Sequence, residues 1–212
     1  VFDNSPGIKQ IADEIKNQSE YEGMLVSPLT ALEIITQDTL LVILDTHRPS
    51  MLPASELLAR TGKIVLIDHH RRNADYIDGA EIFYHLPLSS STCEMVSELI
   101  EYSTTQITLP PEIATALLAG IVLDTKDYVL KTSSRTLEAA AYLKQNGANT
   151  VEVKKLFSVN VEQINGENDI IKNAIILQCK NVHIIVIISV TLYTYLRDIE
   201  MSKAASHIPW PL

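Results

Sequence analysis

The stretch Lys63–Arg72, KIVLIDHHRR, joins an apolar run to a cluster of charged side chains. Its first half is apolar and rich in β-branched residues, which favours a strand that is buried on both faces of a sheet. The run ends at Asp68, and His69, His70 and two arginines follow it directly. Five consecutive ionisable residues at a strand end indicate either a strand tip that meets water or the edge of an active site.

A second apolar run that ends on an acid, Leu40–Asp45 (LLVILD), precedes the first one. Neighbouring runs of this kind predict adjacent strands of a parallel sheet that is covered by helices. Ser55–Arg60 lies between the two runs and predicts a short helix that ends at Gly62, and Glu81–His85 predicts a further strand. The predicted fold class is therefore α/β, with a parallel sheet flanked by helices.

Helix signals dominate the rest of the chain. Ser91 and Glu94 have the spacing of a capping box, in which side chains and backbone at a helix start bond reciprocally. Prolines at a helix start, a glycine after a helix end and a β-branched run support the later predictions. These are a helix starting at Pro110 and Pro111, a helix over Arg135–Gln145 before Gly147, a helix over Glu167–Leu177 and a strand over Val182–Val190.

The composition limits the classes of partner. Of 212 residues, 46% are apolar and 20% are charged, and the net charge is −9. This acidic balance argues against binding to long nucleic acid, which needs a basic surface, but it is compatible with a small anionic substrate held by metal ions. Cys93 and Cys179 are predicted to be reduced thiols, which favours a cytosolic protein. The longest apolar stretch, Val182–Val190, is too short to span a bilayer.

Three acids end apolar runs and suggest a common site: Asp45, Asp68 and Asp124. Ligands of open α/β sheets bind beyond the carboxyl ends of the strands, so we expect Asp45 and His69 to be neighbours. Carboxylates and imidazoles together bind Mn²⁺, Fe²⁺ or Zn²⁺, and a pair of such ions suits the hydrolysis of phosphate esters. A single Asp at a strand end is more often a cap, and a histidine pair is more often solvated. The residue types alone therefore leave both interpretations open.

Three motifs carry a resemblance to a known family. The segment VLIDHH resembles the naming motif of the DHH phosphoesterase superfamily, and LLVILDTHRPS and ATALLAGIVLDTKDY resemble two further motifs in the same order. The resemblance covers Leu25–Leu156 and is strongest to the phosphodiesterase region of membrane-anchored bacterial cyclic-di-AMP phosphodiesterases of the GdpP type.

The resemblance implies a role for each matching position. Asp45 resembles the carboxylate that bridges two ions, usually Mn²⁺, and His69 and Asp124 resemble further metal ligands. Catalytic roles fall to His70, which would contact the scissile phosphate, and to Asp68, which would orient the imidazole ligand. Substrate contacts are proposed for Ser90, Ser91, Thr92 and Arg71, with helix capping and surface ion pairing as the alternatives. His47, close to Asp45 in sequence, is expected to contact a metal ligand and not a metal ion.

The implied activity is metal-dependent hydrolysis of cyclic di-AMP to linear pApA, in the cytoplasmic portion of a membrane-anchored parent protein. Two alternatives remain: a hydrolase of short oligonucleotides, as in the nano-RNases of the same superfamily, and a catalytically inactive nucleotide-binding or interaction module. Family members carry an H-x-x-x-D-x-D segment and a glycine-rich segment, and this sequence contains neither. We therefore expect a chain truncated at both ends, whose exposed apolar sheet edge makes it self-associate, with a homodimer as one form, or makes it poorly stable.

The domain organisation follows from the same resemblance. Residues 1–156 are predicted to form the DHH phosphoesterase domain without its first motif. Residues 157–180 are predicted to form a helical connector, because Asn165 and Gly166 interrupt the preceding pattern. Residues 181–212 are predicted to begin a smaller α/β C-terminal domain.

Overall fold

A computed structural model of the chain describes residues 25–157, single residues at 17, 19, 22 and 23, and the backbone of 173–179 and 182–188. Among these residues five strands form one sheet with the order β3-β2-β1-β5-β4. The strands are β1 (Leu40–Leu44), β2 (Lys63–Asp68), β3 (Ile82–His85), β4 (Asn173–Cys179) and β5 (Val182–Ile188). The predicted α/β class with a parallel sheet and flanking helices is confirmed.

Five α-helices accompany the sheet in the described part of the chain. They are α1 (Pro28–Ile34), α2 (Thr92–Glu101), α3 (Pro111–Asp124), α4 (Ser134–Gln145) and α5 (Thr150–Phe157). The predicted start signals are confirmed, since Ser91 and Pro110 are the N-caps of α2 and α3. Gly147 follows α4 with a φ of 91°, a left-handed conformation that glycine adopts without strain. The predicted short helix after β1 is a 3₁₀-helix over Ser55–Ala59, and another spans Pro49–Met51.

The strand register brings the charged ends of three strands to one edge of the sheet. Strands β1, β2 and β3 run parallel, with Leu44 opposite Ile67 and Asp68 opposite His85. The backbone N–H of Asp45 donates to the carbonyl oxygen of Ile67 at 2.9 Å, which extends the ladder to the first residue after β1. The segments after β1 and β2 therefore leave the sheet side by side.

Two apolar cores support this edge from different directions. The sheet core packs β1 and β2 against α1 and the loops, through the buried residues Ala31, Leu41, Ile43, Leu52, Ala54, Leu57, Ile64, Leu66 and Ile77. The helical core joins α3, α4 and α5, through Leu109, Ala114, Leu118, Ala119, Ile121, Ala139, Leu143, Ala148 and Val153. Helix α2 packs on α3, α4 and β2, so its N-terminus lies where the two cores meet.

One assignment was left open by the sequence, and one prediction about local structure was wrong. Asp124 ends an apolar run, and the structure makes it the last residue of helix α3. A continuous apolar run is compatible with either element, and here its 14 residues are long enough to pack as a helix. Residues 173–177 were predicted as part of a helix over Glu167–Leu177, and they lie in strand β4 (Asn173–Cys179). Pairing with the next strand outweighs the local helical pattern there; the rest of that predicted helix lies outside the described residues.

The predicted strand near the C-terminus is confirmed over Val182–Ile188. Strand β5 pairs in parallel with β1, with Leu44 opposite Ile188, and β4 pairs with β5 in the antiparallel direction. The division into a phosphoesterase domain, a connector and a C-terminal domain stays a prediction. Within the described residues, no helix combines the length and apolar character needed to cross a bilayer.

Candidate metal centre

The first member of the site, Asp45, directly follows strand β1 and has an unusual backbone conformation. Its φ is 65°, in the left-handed region that aspartate tolerates better than most non-glycine residues. Only 7% of the residue is exposed. Such strained and buried polar residues concentrate at functional sites, where the surrounding structure holds them in place.

Three buried side chains converge at the sheet edge, and we call Asp45, His69 and Asp124 the open cluster. The Nε2 atom of His69 lies 3.4 Å from Oδ1 of Asp45 and 3.7 Å from Oδ2 of Asp124. The side chains are only 4% exposed for His69 and 9% for each carboxylate. Both distances are too long for good hydrogen bonds, so the groups surround a point without bonding to each other.

The open cluster has the properties of a cation site. The Nδ1 atom of His69 lies 3.3 Å from the carbonyl oxygen of Ser89, which can only accept, so we assign the ring proton to Nδ1. The Nε2 lone pair then faces two carboxylates. Neither His69 Nε2 nor Asp124 Oδ1 has a hydrogen-bond partner within the described structure, although both are buried. A divalent cation would satisfy these atoms, and carboxylate with imidazole is a donor set that Mn²⁺ accepts.

Electrostatics point to the same conclusion. Burial and the neighbouring charge of Asp45 raise the pKa of Asp124 to about 7. A carboxyl group whose charge is opposed in this way is destabilised in the anionic form that binds metals. A bound cation would remove the repulsion between Asp45 and Asp124, so the residues present fit a metal ion.

Helix α2 supports the open cluster through its first residue. Thr92 Oγ1 donates a hydrogen bond of 2.9 Å to Oδ1 of Asp45. Ser91 caps α2 by accepting from the N–H of Glu94 at 3.0 Å, and Ser90 Oγ donates to the Glu94 carboxylate. These three residues were predicted to contact substrate, with helix capping as the alternative. In the structure all three are buried, and their hydroxyl groups bond to other protein groups.

The Glu94 carboxylate is the centre of a second network that the capping-box pattern predicts only in part. It accepts from Ser89 Oγ at 2.9 Å, from Ser90 and from Thr136 Oγ1 at 2.7 Å, rather than from the N–H of Ser91. Burial alone would raise the pKa of Glu94, but the bonds from Ser90, Thr136 and Ser89 outweigh burial and lower it. The network holds the loop whose Ser89 carbonyl faces His69.

A second group of ionisable side chains lies beside the first, and we call His47, Asp68 and His70 the closed cluster. Oδ2 of Asp68 bonds to Nδ1 of His47, and Oδ1 lies 2.7 Å from Nδ1 of His70. Burial alone would raise the pKa of Asp68, but the hydrogen bonds from His70 and His47 lower it to about 2. The hydrogen bond to Asp68 in turn raises the pKa of His70.

This geometry corrects one predicted role. Asp68 was expected to orient the metal-binding imidazole of His69, and it bonds to His47 and His70 instead. The reason is that successive side chains at a strand end point to opposite sides, so Asp68 shares a side with His70 and not with His69. The Ser89 carbonyl lies at the position expected for Asp68.

The two arginines after the histidines differ in their surroundings. Both Arg71 and Arg72 are exposed. The guanidinium carbon of Arg72 lies 4.2 Å from the ring centre of Tyr76 and 5.6 Å from that of Phe83. Arg72 therefore attaches the loop to β3 through cation–π contacts, whereas the predicted substrate contact of Arg71 stays a prediction.

The relationship to known proteins agrees with the site. Residues 6–121 match the model of the DHH family, N-terminal domain. The chain is 47% identical over 155 residues to the cyclic-di-AMP phosphodiesterase GdpP of Geobacillus thermodenitrificans and 43% identical over 155 residues to GdpP of Bacillus subtilis. Each alignment covers 73% of this chain and 24% of the relative. The chain thus spans about a quarter of the length of these relatives.

A solved structure supports the fold. An exopolyphosphatase-related protein from Bacteroides fragilis superimposes with a TM-score of 0.51 at 22% identity, covering 59% of this chain and 38% of that one. At this identity the likeness concerns the fold alone. The ordered motifs, the match over residues 6–121 and the identity to the GdpP proteins together show that this chain belongs to the DHH family.

Proposed function

We propose that this chain supplies metal-binding and phosphate-binding residues of a phosphodiesterase that hydrolyses cyclic di-AMP to linear pApA. The observation that carries the proposal is the convergence of Asp45, His69 and Asp124 on one buried point where His69 Nε2 has no hydrogen-bond partner. The names of the relatives, cyclic-di-AMP phosphodiesterases, suggest the substrate. By the same resemblance, the proposal extends to a cytoplasmic location within a membrane-anchored parent protein.

The three residues of the open cluster are the proposed metal ligands, and Mn²⁺ is the proposed ion, with two ions in the family's complete site. Such ions activate water and neutralise negative charge on phosphoryl oxygens. The protein keeps both carboxylates close together and almost out of contact with water. Thr92 contributes by holding Asp45 through its hydroxyl group, so we propose that Thr92 acts on the ligand and not on the substrate.

His70 is the proposed contact to the scissile phosphate. Its side chain is 46% exposed, whereas the other histidines of the two clusters are almost fully buried. Its Nδ1 atom bonds to Asp68, which leaves Nε2 as the ring nitrogen for an incoming ligand. In the metal-free chain the hydrogen bond to Asp68, ahead of the charges of Asp45, Asp68 and Asp124, raises the pKa of His70. A ring donor held by Asp68 beside the open cluster suits the negative charge that develops on phosphoryl oxygens.

Arg71 is the proposed second contact to the phosphate. It follows His70 directly and is exposed, and guanidinium groups bind phosphate through paired hydrogen bonds. Ser90 and Ser91 enter the proposal only as supports of the loop and of helix α2, because their hydroxyl groups are buried and bonded to Glu94.

The test combines metal binding with turnover. The full chain is titrated with Mn²⁺, with binding followed by loss of the free-ion EPR signal, and is then assayed with cyclic di-AMP by chromatography. We expect binding and conversion to pApA in the wild type, and loss of both in His69→Ala and Asp124→Asn. Asp38→Asn is the matched control, because the side chain of Asp38 is 94% exposed and the residue precedes β1, at the opposite end of the strand from Asp45. The control should bind and react as the wild type does.

The other outcomes separate the alternatives. Preferential cleavage of added pApA to mononucleotide would overturn the proposed substrate in favour of a hydrolase of short oligonucleotides. Mn²⁺ binding without turnover of either nucleotide would favour the inactive binding module. Absence of Mn²⁺ binding in the wild type would contradict the metal centre itself.

A further inference from the structure

A buried histidine outside the open cluster is the starting point. His47 follows Asp45 by two residues, and only 2% of it is exposed. The ring nitrogens of a buried histidine need partners, because an unpaired buried polar group is costly. Both nitrogens of His47 have one: Nδ1 bonds to Oδ2 of Asp68, and Nε2 lies 3.0 Å from the backbone nitrogen of Asn73.

These partners determine the tautomer of His47. A backbone N–H can only donate, so Nε2 of His47 accepts from Asn73 and carries no proton. Nδ1 therefore carries the proton and donates it to Asp68. No lone pair of His47 remains for a cation, although His47, Asp68 and His85 lie close enough together to suggest one. His47 is thus held as a neutral donor.

The second oxygen of Asp68 serves His70. Oδ1 accepts from the backbone N–H of His70 at 3.0 Å and from its ring Nδ1 at 2.7 Å. Asp68 is completely buried. Its carboxylate therefore has one oxygen for each histidine, and rotation about its Cβ–Cγ bond would break the bonds on both sides.

The loop after the two histidines is attached to the same residue. The backbone N–H of Ile77 donates to the carbonyl oxygen of His47 at 2.7 Å, in addition to the bond from Asn73 to the ring. From the other side, Nε2 of His85 bonds to the carbonyl oxygen of His70. The backbone and ring of His70 are therefore held from β1, β2 and β3.

We propose that His47 is a positioning residue for His70. Its Nδ1–H donates to Asp68 and fixes the plane of the carboxylate, which in turn holds the ring of His70 towards the bound phosphodiester. The inference rests on the proposed function for the identity of the ligand, but the hydrogen-bond chain can be tested without it. His47 does not touch the substrate, because it is buried behind Asp68.

The substitutions that test this differ in where they place a donor. The amide nitrogen of asparagine in His47→Asn takes the place of Nδ1 and keeps the donor to Asp68. The amide nitrogen of glutamine in His47→Gln falls near the Nε2 position, where it opposes the N–H of Asn73. Leu143→Ala is the matched control for lost stability, because Leu143 is fully buried in the helical core, away from both clusters.

The readout is the ring-nitrogen NMR spectrum of the full chain without metal at neutral pH, with His70 signals identified through His70→Gln. In the wild type we expect His47 protonated on Nδ1 only. We expect the His70 ring signals to be unchanged in His47→Asn and in Leu143→Ala, and to move towards those of a solvated histidine in His47→Gln. Unchanged His70 signals in a folded His47→Gln would overturn the proposal. If that variant does not fold, a wild-type His47 protonated on Nε2, or displaced His70 signals in His47→Asn, would overturn it instead.

A kinetic measurement separates this inference from the proposed function. With cyclic di-AMP and Mn²⁺, we expect kcat to fall at least ~10-fold in His47→Gln and less than ~3-fold in His47→Asn, with KM nearly unchanged in both. A wild type that does not cleave the dinucleotide, but shows the expected NMR differences, would contradict the proposed substrate and leave the positioning role intact. Turnover of cyclic di-AMP together with equal His70 signals in all variants would support the proposed function and contradict the positioning role of His47.

Discussion

The two clusters at the sheet edge contain the same residue types and differ in how they are bonded. In the open cluster, His69 Nε2 lies 3.4 Å and 3.7 Å from the carboxylates of Asp45 and Asp124. In the closed cluster, both oxygens of Asp68 bond directly to histidine rings. The pKa values respond in opposite directions, since that of Asp124 rises to about 7 and that of Asp68 falls to about 2.

The comparison teaches that composition does not determine what a buried cluster does. A carboxylate with two histidine donors is satisfied by protein alone, so it stabilises the fold and orients side chains. In the open cluster, His69 Nε2 and Asp124 Oδ1 have no hydrogen-bond partner within the described structure, so these buried groups cost stability until a cation binds. The predictions below test this contrast by removing members of each cluster in turn.

The largest effect is expected from removing a proposed ligand. His69→Ala and Asp124→Asn should each weaken Mn²⁺ binding by more than ~100-fold, because even residues that only orient a ligand are worth ~10–100-fold. Mn²⁺ should raise the Tm of the wild type and leave that of either variant unchanged. Calorimetry with and without Mn²⁺ measures both effects.

The same variants test whether the open cluster costs stability. Without metal, Asp124→Asn should unfold at a Tm no lower than that of the wild type, since the substitution removes the repulsion between Asp124 and Asp45. A clear loss of Tm in the metal-free variant would mean that protein contacts satisfy Asp124, contrary to the open-cluster description.

Asp68→Asn should have the opposite effect on stability. Asparagine presents an amide donor to one of the two histidine donors that now bond to Asp68. Removing one partner from a buried charged pair typically costs about 3–5 kcal/mol. Urea unfolding of the metal-free chain measures the difference, and Asp38→Asn, in an exposed pair with Lys63, should cost at most about 1 kcal/mol. Equal losses in the two variants would contradict the closed cluster.

A smaller effect should follow from the contact between helices α2 and α3. A methyl group on Gly120 would overlap the Sγ atom of Cys93. Gly120 precedes Asp124 by one helical turn, and Cys93 follows Thr92, so Gly120→Ala should separate the groups around Asp45. We expect a loss of about 2 kcal/mol in unfolding free energy together with weaker Mn²⁺ binding.

The double variant Gly120→Ala with Cys93→Ala checks the cause. Removing the sulfur relieves this overlap and leaves the Cβ atom of residue 93 at 3.1 Å from the new methyl group, so the double variant should bind Mn²⁺ better than Gly120→Ala alone. The ring signals of His47 and His70 should be the same in all of these variants, because the closed cluster lies on the strands and their loops. If the double variant binds Mn²⁺ no better than Gly120→Ala, the loss of binding arises from a contact other than the one with the Cys93 sulfur.

The smallest effect concerns Glu94, whose pKa is lowered because hydrogen bonds outweigh burial. A carboxyl group with a lowered pKa in the folded state stabilises the protein above its unfolded pKa, near 4.5, and loses that contribution as the pH falls through the folded value. The wild type should therefore exceed Glu94→Gln by about 1 kcal/mol above pH 5. Chemical unfolding at several pH values should show this difference shrinking below pH ~4.5, and a difference independent of pH would contradict the ionised network.

Local patterns were sufficient for most of the fold. The apolar runs before Asp45 and Asp68 predict β1 and β2 because a strand buried on both faces needs apolar side chains throughout. Proline, serine and glycine signals predict the ends of α2, α3 and α4 because each acts through the backbone of a single turn. The ordered motifs also predict the family, since they depend on residue identity and spacing alone.

Contacts between distant parts of the chain decided the rest. A continuous apolar run before Asp124 suits a helix or a strand equally, and packing within the helical core selects the helix. The partners of Asp68 also depend on tertiary structure, because His47 precedes it by 21 residues and reaches it only through the pairing of β1 with β2. A linear pattern specifies which groups can bond; the three-dimensional arrangement determines that Asp68 is satisfied by histidines while His69 faces two carboxylates.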